Sequence, residues 1–530
     1  MDPSVLKALQ QLDAAHHLHP FNDNAALAQK GTRILTRGEG VYVWDADGNQ
    51  LLDAFGGLWC VNVGYGRREL AQAAARQMEQ LAYYNSFFQC TTEPTIQLAA
   101  KLAELAPGDL NHAFFANSGS EANDTILRLV RHFWAVQGQP QKRIFIGRHD
   151  GYHGTTMAGA SLGGMKGMHQ QGGLPIADIH HIAPPYHFGD GGEMDPEDYG
   201  VLAARRLEDK ILQLGPDHVA AFIGEPIMGA IGVYIPPRSY WPEIERICRR
   251  YDVLLVADEV ICGFGRTGEW FGAEYFGFQP DVMTLAKGIT SGYIPLAAAM
   301  FNDRVAGVLK SQGGELAHGG TYAGHPVCAA VALENLRLLQ DEGIVETART
   351  QVAPYLAQRW AALGEHRLVG EARIAGLVGA LELVPDKQRR GAYFPGRGRV
   401  GALCRNFALR RGLILRDLRC HAAVATVDHH PRAGRRTVRQ GLGGAGRHCA
   451  DAGPIAPAQP VPPHGGRPRR GRGRPSMRTQ RCHAAAAALA SRQGLSVPAS
   501  LRWANPGVVG RLGRARIRHR PPHRAAWRPT

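Results

Sequence analysis

A lysine that follows a strand-end acid by twenty-nine residues is a pairing on which imine chemistry at an electron-withdrawing pyridine ring can be built. The acid is Asp258, in the apolar run Val253-Leu254-Leu255-Val256-Ala257-Asp258-Glu259-Val260, and the lysine is Lys287, in Thr284-Leu285-Ala286-Lys287-Gly288. An amine condenses with an aldehyde. A carboxylate delivered from a strand end keeps a pyridine nitrogen protonated, so that the ring draws electrons from a substrate carbanion. Neither residue is specific alone, because strands ending in an acid are common in α/β proteins and a solitary lysine is ordinarily a solvated surface charge.

The surrounding segments supply what such a ring would need. Asn117-Ser118-Gly119-Ser120-Glu121-Ala122-Asn123 follows the apolar run Ala113-Phe114-Phe115-Ala116 and precedes Ile126, Leu127, Val130, Phe133 and Trp134 at helical spacing. This reads as strand, small-residue turn and helix, with hydroxyls and the unpaired N–H groups of a helix start available to a phosphate. Taken alone it is also an ordinary capped helix. In His149-Asp150-Gly151-Tyr152-His153-Gly154-Thr155-Thr156, Tyr152 is placed to stack on a flat ring opposite the face covered by Val260, the alternative being a core tyrosine in a glycine-rich turn. Glu225, closing Phe222-Ile223-Gly224, is a candidate partner near a phenolic oxygen or else a strand-terminal surface acid. Amine, acid, anion cradle and two ring faces together point to pyridoxal phosphate.

The segments N-S-G-S-E-A-N-D, H-D-G-Y-H-G-T-T, G-E-P-I, A-D-E-V-I-C-G-F-G-R-T-G, L-A-K-G and G-G-T-Y-A-G-H-P, in this order, resemble the class III aminotransferases of pyridoxal-phosphate fold type I. The resemblance spans roughly residues 15 to 418. L-W-C-V-N-V-G-Y-G around Trp59 and the stretch from Cys262 to Gly272 are most similar to the ω-amino acid or diamine:pyruvate aminotransferases. It implies that Lys287 is the Schiff-base lysine and Asp258 the pyridine-nitrogen partner, with Tyr152 and Val260 on the ring faces and Ser118, Gly119 and Ser120 as the phosphate cup. Thr321 would reach the phosphate held by a neighbouring subunit in a homodimer. Arg416 matches the family arginine that grips a substrate carboxylate, for which a planar bidentate fork is suited. Taken alone, it is a solvated helix-end charge.

The implied reaction moves an amino group from an amine donor to a keto acid such as pyruvate, with Lys287 carrying the proton and Trp59 and Phe21 shaping an apolar pocket. Gly320 is a departure: related sequences often carry an aromatic there, so the pocket wall is expected to be more open. A same-fold aminomutase or racemase would use Lys287 equally and need no second keto acid. The implied fold is α/β: a large doubly wound domain over residues 61–325, and a smaller α+β domain built from residues 1–60 and 326–418.

Composition separates a body from a tail. The chain carries 61 Lys plus Arg against 46 Asp plus Glu, yet residues 419–530 hold 22 arginines, two aspartates, and neither lysine nor glutamate. The body is therefore mildly acidic, and the basic balance belongs to the tail. Six body cysteines, Cys60, Cys90, Cys248, Cys262, Cys328 and Cys404, show no ligand-like spacing, so reduced thiols and no metal are expected. An N-terminus without an apolar signal core and the absence of a membrane-length run lead to a cytoplasmic expectation.

The tail has neither phenylalanine nor tyrosine and is expected to be disordered. Arginine without lysine is what out-of-frame codons of a GC-rich gene produce, and this reading is preferred to a nucleic-acid arm. Permitted codons for Cys420 to Leu442, read one nucleotide later, spell A-M-L-L-S-P-P-L-I-I-T-R-E-Q-V-D-E-L-F-A-K-A, an apolar strand pair and a capped amphipathic helix. A frameshift near Arg419 is the expectation. With it comes the loss of an apolar strand and a covering helix from the small domain, and an inactive product is a further alternative for the chain as written.

Overall fold

The computed structural model describes residues 1–389, 393–395, 398–418 and 421–425. Near the N-terminus, β1 (Leu35–Glu39), β2 (Tyr42–Asp45) and β3 (Gln50–Asp53) form an antiparallel meander. Its fourth strand comes from the far end of the chain, Leu413–Ile414, which lies parallel to β3.

The central sheet holds β4 (His112–Ala116), β5 (Ile144–Arg148), β6 (Ile179–Ile182), β7 (Val219–Gly224), β8 (Leu254–Asp258), β9 (Val282–Leu285) and β10 (Ala297–Phe301), in the order β4-β10-β9-β8-β7-β5-β6. β10 runs antiparallel to both its neighbours, β4 and β9, and the remaining pairs are parallel. β7 and β8 are buried at every position, the signature of strands covered on both faces. Alternate side chains enter different cores. Leu255 and Ala257 join the cluster with helices Pro196–Leu214 and Tyr240–Arg250, whereas Leu254 and Val256 join the one with helix Gly119–Val136. This is the doubly wound arrangement expected, and it places the carboxyl ends of the parallel strands on one edge, where ligands bind in such sheets.

The small domain joins the chain ends. β11 (Val369–Ala375), β12 (Val378–Leu383), β13 (Leu413–Ile414), β14 (Arg416–Leu418) and β15 (His421–Ala425) follow the large sheet, and Val41, Leu52 and Val61 share one core with Trp360, Leu381, Cys404 and Leu413. The strand expected to be lost after residue 418 is present: β15 lies between β12 and β14, pairing Val378 with Ala425 and Arg416 with Ala423. The physical reason is that a ladder needs only backbone N–H and C=O groups, so a short apolar segment fills the register whatever its frame of origin. The remainder of the tail, with its expected disorder and the lost helix, lies outside the described residues. No helix among the described residues is long and apolar enough to cross a membrane.

Candidate active site

Asp258 closes β8 on the edge where the parallel strands end, and it is 3% exposed. Its Oδ2 accepts from the amide of Asn123 at 3.0 Å and from Nδ1 of His153 at 2.7 Å, while Oδ1 accepts the backbone N–H of Val260 at 3.1 Å. Thr284 on β9 donates to the Asn123 carbonyl at 2.7 Å, so the amide has one orientation and its N–H₂ must face Asp258. A buried carboxylate held from three sides is a fixed negative charge with a lone pair of Oδ1 still available.

Lys287 follows β9 with φ +49°, a left-handed conformation costly for a residue with a Cβ and of the kind that gathers at functional sites. Burial pushes its amine below the usual lysine range, with the Asp258 carboxylate opposing the shift. An amine of lowered basicity yields its proton more readily, which suits a nucleophile or proton carrier. Nζ lies 5.9 Å from the centre of the Trp59 ring. The next residue has no room for a side chain, since a Cβ on Gly288 would come within 2.7 Å of the Asn62 amide.

The turn Ser118-Gly119-Ser120 begins the helix Gly119–Val136. Ser118 Oγ caps it by accepting from Glu121 N–H at 3.2 Å, and Ser120 Oγ accepts from Thr155 N–H at 3.0 Å. The N–H groups of Gly119 and Ser120 have no protein acceptor among the described residues, so two orphan donors of the helix start remain for an anion. Val260 packs beside this turn, its Cγ2 only 3.1 Å from where a Cβ on Gly119 would stand. Tyr152 follows β5, and its N–H donates at 3.1 Å to Glu225, whose other oxygen accepts Gly229 N–H at 3.2 Å. Burial raises the Glu225 carboxyl above its ordinary range.

The remaining candidates gather around Trp59, which is 2% exposed, has φ +58° and packs edge-on against Phe55 at 4.5 Å. The guanidinium of Arg416, on β14, stands 5.5 Å from the centre of the Trp59 ring and 5.7 Å from that of Phe55. It makes no hydrogen bond among the described residues, and burial lowers its basicity. Phe21 is 69% exposed and lies 6.4 Å from Tyr152. Thr321 is also exposed, its carbonyl accepting from the Tyr83 hydroxyl at 2.5 Å. A Cβ on Gly320 would find only the Asn117 amide, at 3.9 Å, which agrees with an open wall.

The sequence reading missed Asn123 and His153. Both stand inside quoted segments, but only the long-range contact with Asp258 reveals their part. The signal was a carboxamide on the apolar side of a helix, a position that needs a partner when buried. The Nε2 of His153 is itself buried without a protein partner among the described residues.

A family model described as aminotransferase class-III matches residues 25–427. A putrescine–pyruvate aminotransferase of Pseudomonas aeruginosa is 58% identical over 407 residues, covering 77% of this chain and 89% of that protein. Among solved structures, a thermostable (S)-enantioselective omega-transaminase from Thermomicrobium roseum superposes with a TM-score of 0.80 at 41% identity, covering 84% of this chain and 98% of that one. An omega transaminase from Pseudomonas jessenii in complex with PMP superposes with a TM-score of 0.81 at 39% identity, covering 84% and 100%. The chain belongs to the class-III aminotransferases, enzymes whose cofactor is pyridoxal phosphate.

Proposed function

We propose that this protein transfers the amino group of a diamine, ω-amino acid or simple amine to a keto acid such as pyruvate. The observation that carries the reading is an unpaired guanidinium and a depressed amine facing one indole: Arg416 and Lys287 both lie within 6 Å of the Trp59 ring centre. The first can hold the carboxylate of a keto acid, and the second can move a proton at the carbon beside its carbonyl. The 58% identical putrescine–pyruvate aminotransferase supports a donor of the diamine class.

The residues present fit the cofactor. The free N–H groups of Gly119 and Ser120, with the hydroxyls of Ser118 and Ser120, match a phosphate, and the fixed carboxylate of Asp258 matches a protonated ring nitrogen. When bound, pyridoxal phosphate supplies an aldehyde for the amine and an electron sink for the carbanion. Lys287 would hold the aldehyde, and its amine would be the group that moves the proton. Asn123 and His153 keep Asp258 oriented, so that its carboxylate would hold the ring charge in place, and Tyr152 and Val260 would confine the ring. Glu225 would serve the phenolic oxygen, and Phe21 and Trp59 would bound the donor pocket.

Thr321 belongs in this reading to the neighbouring subunit's phosphate site, and its exposure on a single chain accords with a homodimer. The six described cysteines are free thiols, which accords with a cytoplasmic enzyme. The test is to incubate the purified protein with pyridoxal phosphate, putrescine and pyruvate and to follow alanine. Amine-dependent alanine formation is expected. Turnover of an amino acid to its isomer without any keto acid would replace the reading by an aminomutase or racemase. Borohydride should fix the cofactor on Lys287, and mapping of the adduct to another lysine would overturn that assignment.

A further inference from the structure

The C-terminal end of the helix Pro3–His16 and the segment after it bring together one carboxylate and two imidazoles, none of them assigned to amino transfer. His17 Nδ1 lies 3.0 Å from Asp13 Oδ1, and His19 Nε2 lies 2.8 Å from Asp13 Oδ2. The two rings stand 4.0 Å apart centre to centre, and the three donor atoms all lie within 4.8 Å of one another. Asp13 lies in the last turn of the helix and His17 caps it, its backbone N–H donating to the Asp13 carbonyl at 2.9 Å, while the segment after the cap delivers His19 to the same carboxylate.

We propose that Asp13, His17 and His19 form a binding site for one divalent transition-metal ion of the Zn²⁺ class. Two imidazole nitrogens and one carboxylate oxygen are a donor set that suits zinc rather than calcium or magnesium, which prefer oxygen throughout. An ion with bonds of about 2.0–2.2 Å in a tetrahedral site needs donors roughly 3.3–3.5 Å apart, so turns of the side chains, without rearrangement of the backbone, bring the three into range. Neutral rings need lose no proton, since each can move its hydrogen to the outward nitrogen.

The surroundings supply what a ligand set requires. The Thr32 hydroxyl donates to Asp13 Oδ2, which orients the carboxylate. Asn24 fixes His19 by accepting its backbone N–H at 2.8 Å and donating to its carbonyl at 3.2 Å. A cavity of about 270 Å³ opens beside the three donors, room for the water that completes four-coordination. Bound there, the ion would clasp the helix end to the segment that leads, two residues on, to Phe21.

The probe is Zn²⁺ itself, titrated by equilibrium dialysis into the chelator-treated full chain, with Co²⁺ as an optical reporter. His17→Gln is the decisive variant, because the His17 ring is 58% exposed and hydrogen-bonded to Asp13 alone, so its loss leaves the Asp13–His19–Thr32 contacts in place. Wild type should bind one more equivalent than this variant, or bind that equivalent about tenfold or more tightly. Its Co²⁺ form should show the intense visible bands of a four-coordinate ion, absent from the variant. His19→Gln should behave likewise if it folds. Equal stoichiometry and affinity in wild type and His17→Gln would overturn the proposal, leaving the cluster as a hydrogen-bonded clasp. So would a Co²⁺ spectrum identical in the two.

Discussion

The two ends of the candidate site are built differently. Asp258 closes a fully buried strand at the middle of a seven-stranded sheet, and its oxygens are held by Asn123, His153 and the Val260 N–H. Arg416 begins a three-residue strand at the edge of the small sheet, and its guanidinium rests on two aromatic faces without a hydrogen bond among the described residues. A cofactor stays through many turnovers and rewards a fixed charge. A substrate carboxylate must arrive and leave, and a guanidinium already paired with a protein acid would have to break that pair each time. On the proposed reading the cofactor end is thus over-determined and the substrate end left open, so damage at the first should strike rate and damage at the second should strike substrate affinity.

The sharpest way to break this contrast is Lys287→Ala. On the proposed reading it removes both the group that would bind the aldehyde and the group that would move the proton, so turnover should fall by about 10⁴-fold or more with no compensating change in substrate affinity. Substantial residual turnover in a steady-state assay would place the proton carrier elsewhere. Next in size is Asp258→Asn, which keeps the shape but removes the charge. A fall in kcat of about 10²- to 10³-fold is expected, the scale of one preorganised electrostatic partner, with cofactor affinity changed far less. If kcat stayed near wild type while cofactor affinity collapsed, Asp258 would be a structural anchor and the contrast would fail from its stronger side.

Arg416→Ala probes the open end. Losing a charge-assisted bidentate contact of about 1.5–3 kcal/mol should raise the KM for the keto acid roughly 10- to 100-fold. The first half-reaction, with an amine that has no carboxylate, should proceed as in wild type, since nothing there meets the guanidinium. Equal losses in both half-reactions, measured by single-turnover absorbance, would show that Arg416 supports the fold around Trp59 instead of holding substrate.

What could be read from sequence divides along the same line. Asp258, Lys287, Ser118–Ser120, Tyr152 and Glu225 were legible because each sits in a local pattern, an apolar strand followed by a turn, and a doubly wound sheet brings such turns to one edge. The parallel strands β7 and β8 were legible as continuous apolar runs. Asn123 and His153 were not, because their contacts with Asp258 span 135 and 105 residues and no local period records them. The parallel pairing of β3 with β13, which ties the chain ends into one small domain, is equally invisible to local patterns, although the family resemblance anticipated a domain made from both ends. The strand β15 was misjudged for the opposite reason: composition argued against a domain, yet five residues sufficed for a backbone ladder.

That strand sets the smallest of the expected effects. Codons permitted for Cys420 to Leu442 can be read one nucleotide on as two apolar stretches and a capped amphipathic helix, whereas the chain as written is rich in arginine. The family match stops at residue 427, within two residues of the end of β15. With β15 in register against β12, the ladder is kept, so on the frameshift reading the expected loss narrows to the burial that a covering helix would add. A few apolar side chains at about 1.5–3 kcal/mol each, offset by the entropy of ordering the helix, leave a net of a few kcal/mol. A version with the frame restored from residue 420 should therefore melt higher by roughly 5 °C, at about 2 °C per kcal/mol for a chain of this size. It should also lower the KM for the keto acid, because Arg416 lies on the strand paired with β15, while kcat, which on the proposed reading is set by Asp258 and Lys287 outside that strand, should move little. Calorimetry and initial rates on the two proteins side by side decide the matter. Identical melting and identical KM would mean that the small domain is complete as written and that the arginine-rich segment is an appendage in its own right, to be tested next for salt-dependent binding to a polyanion.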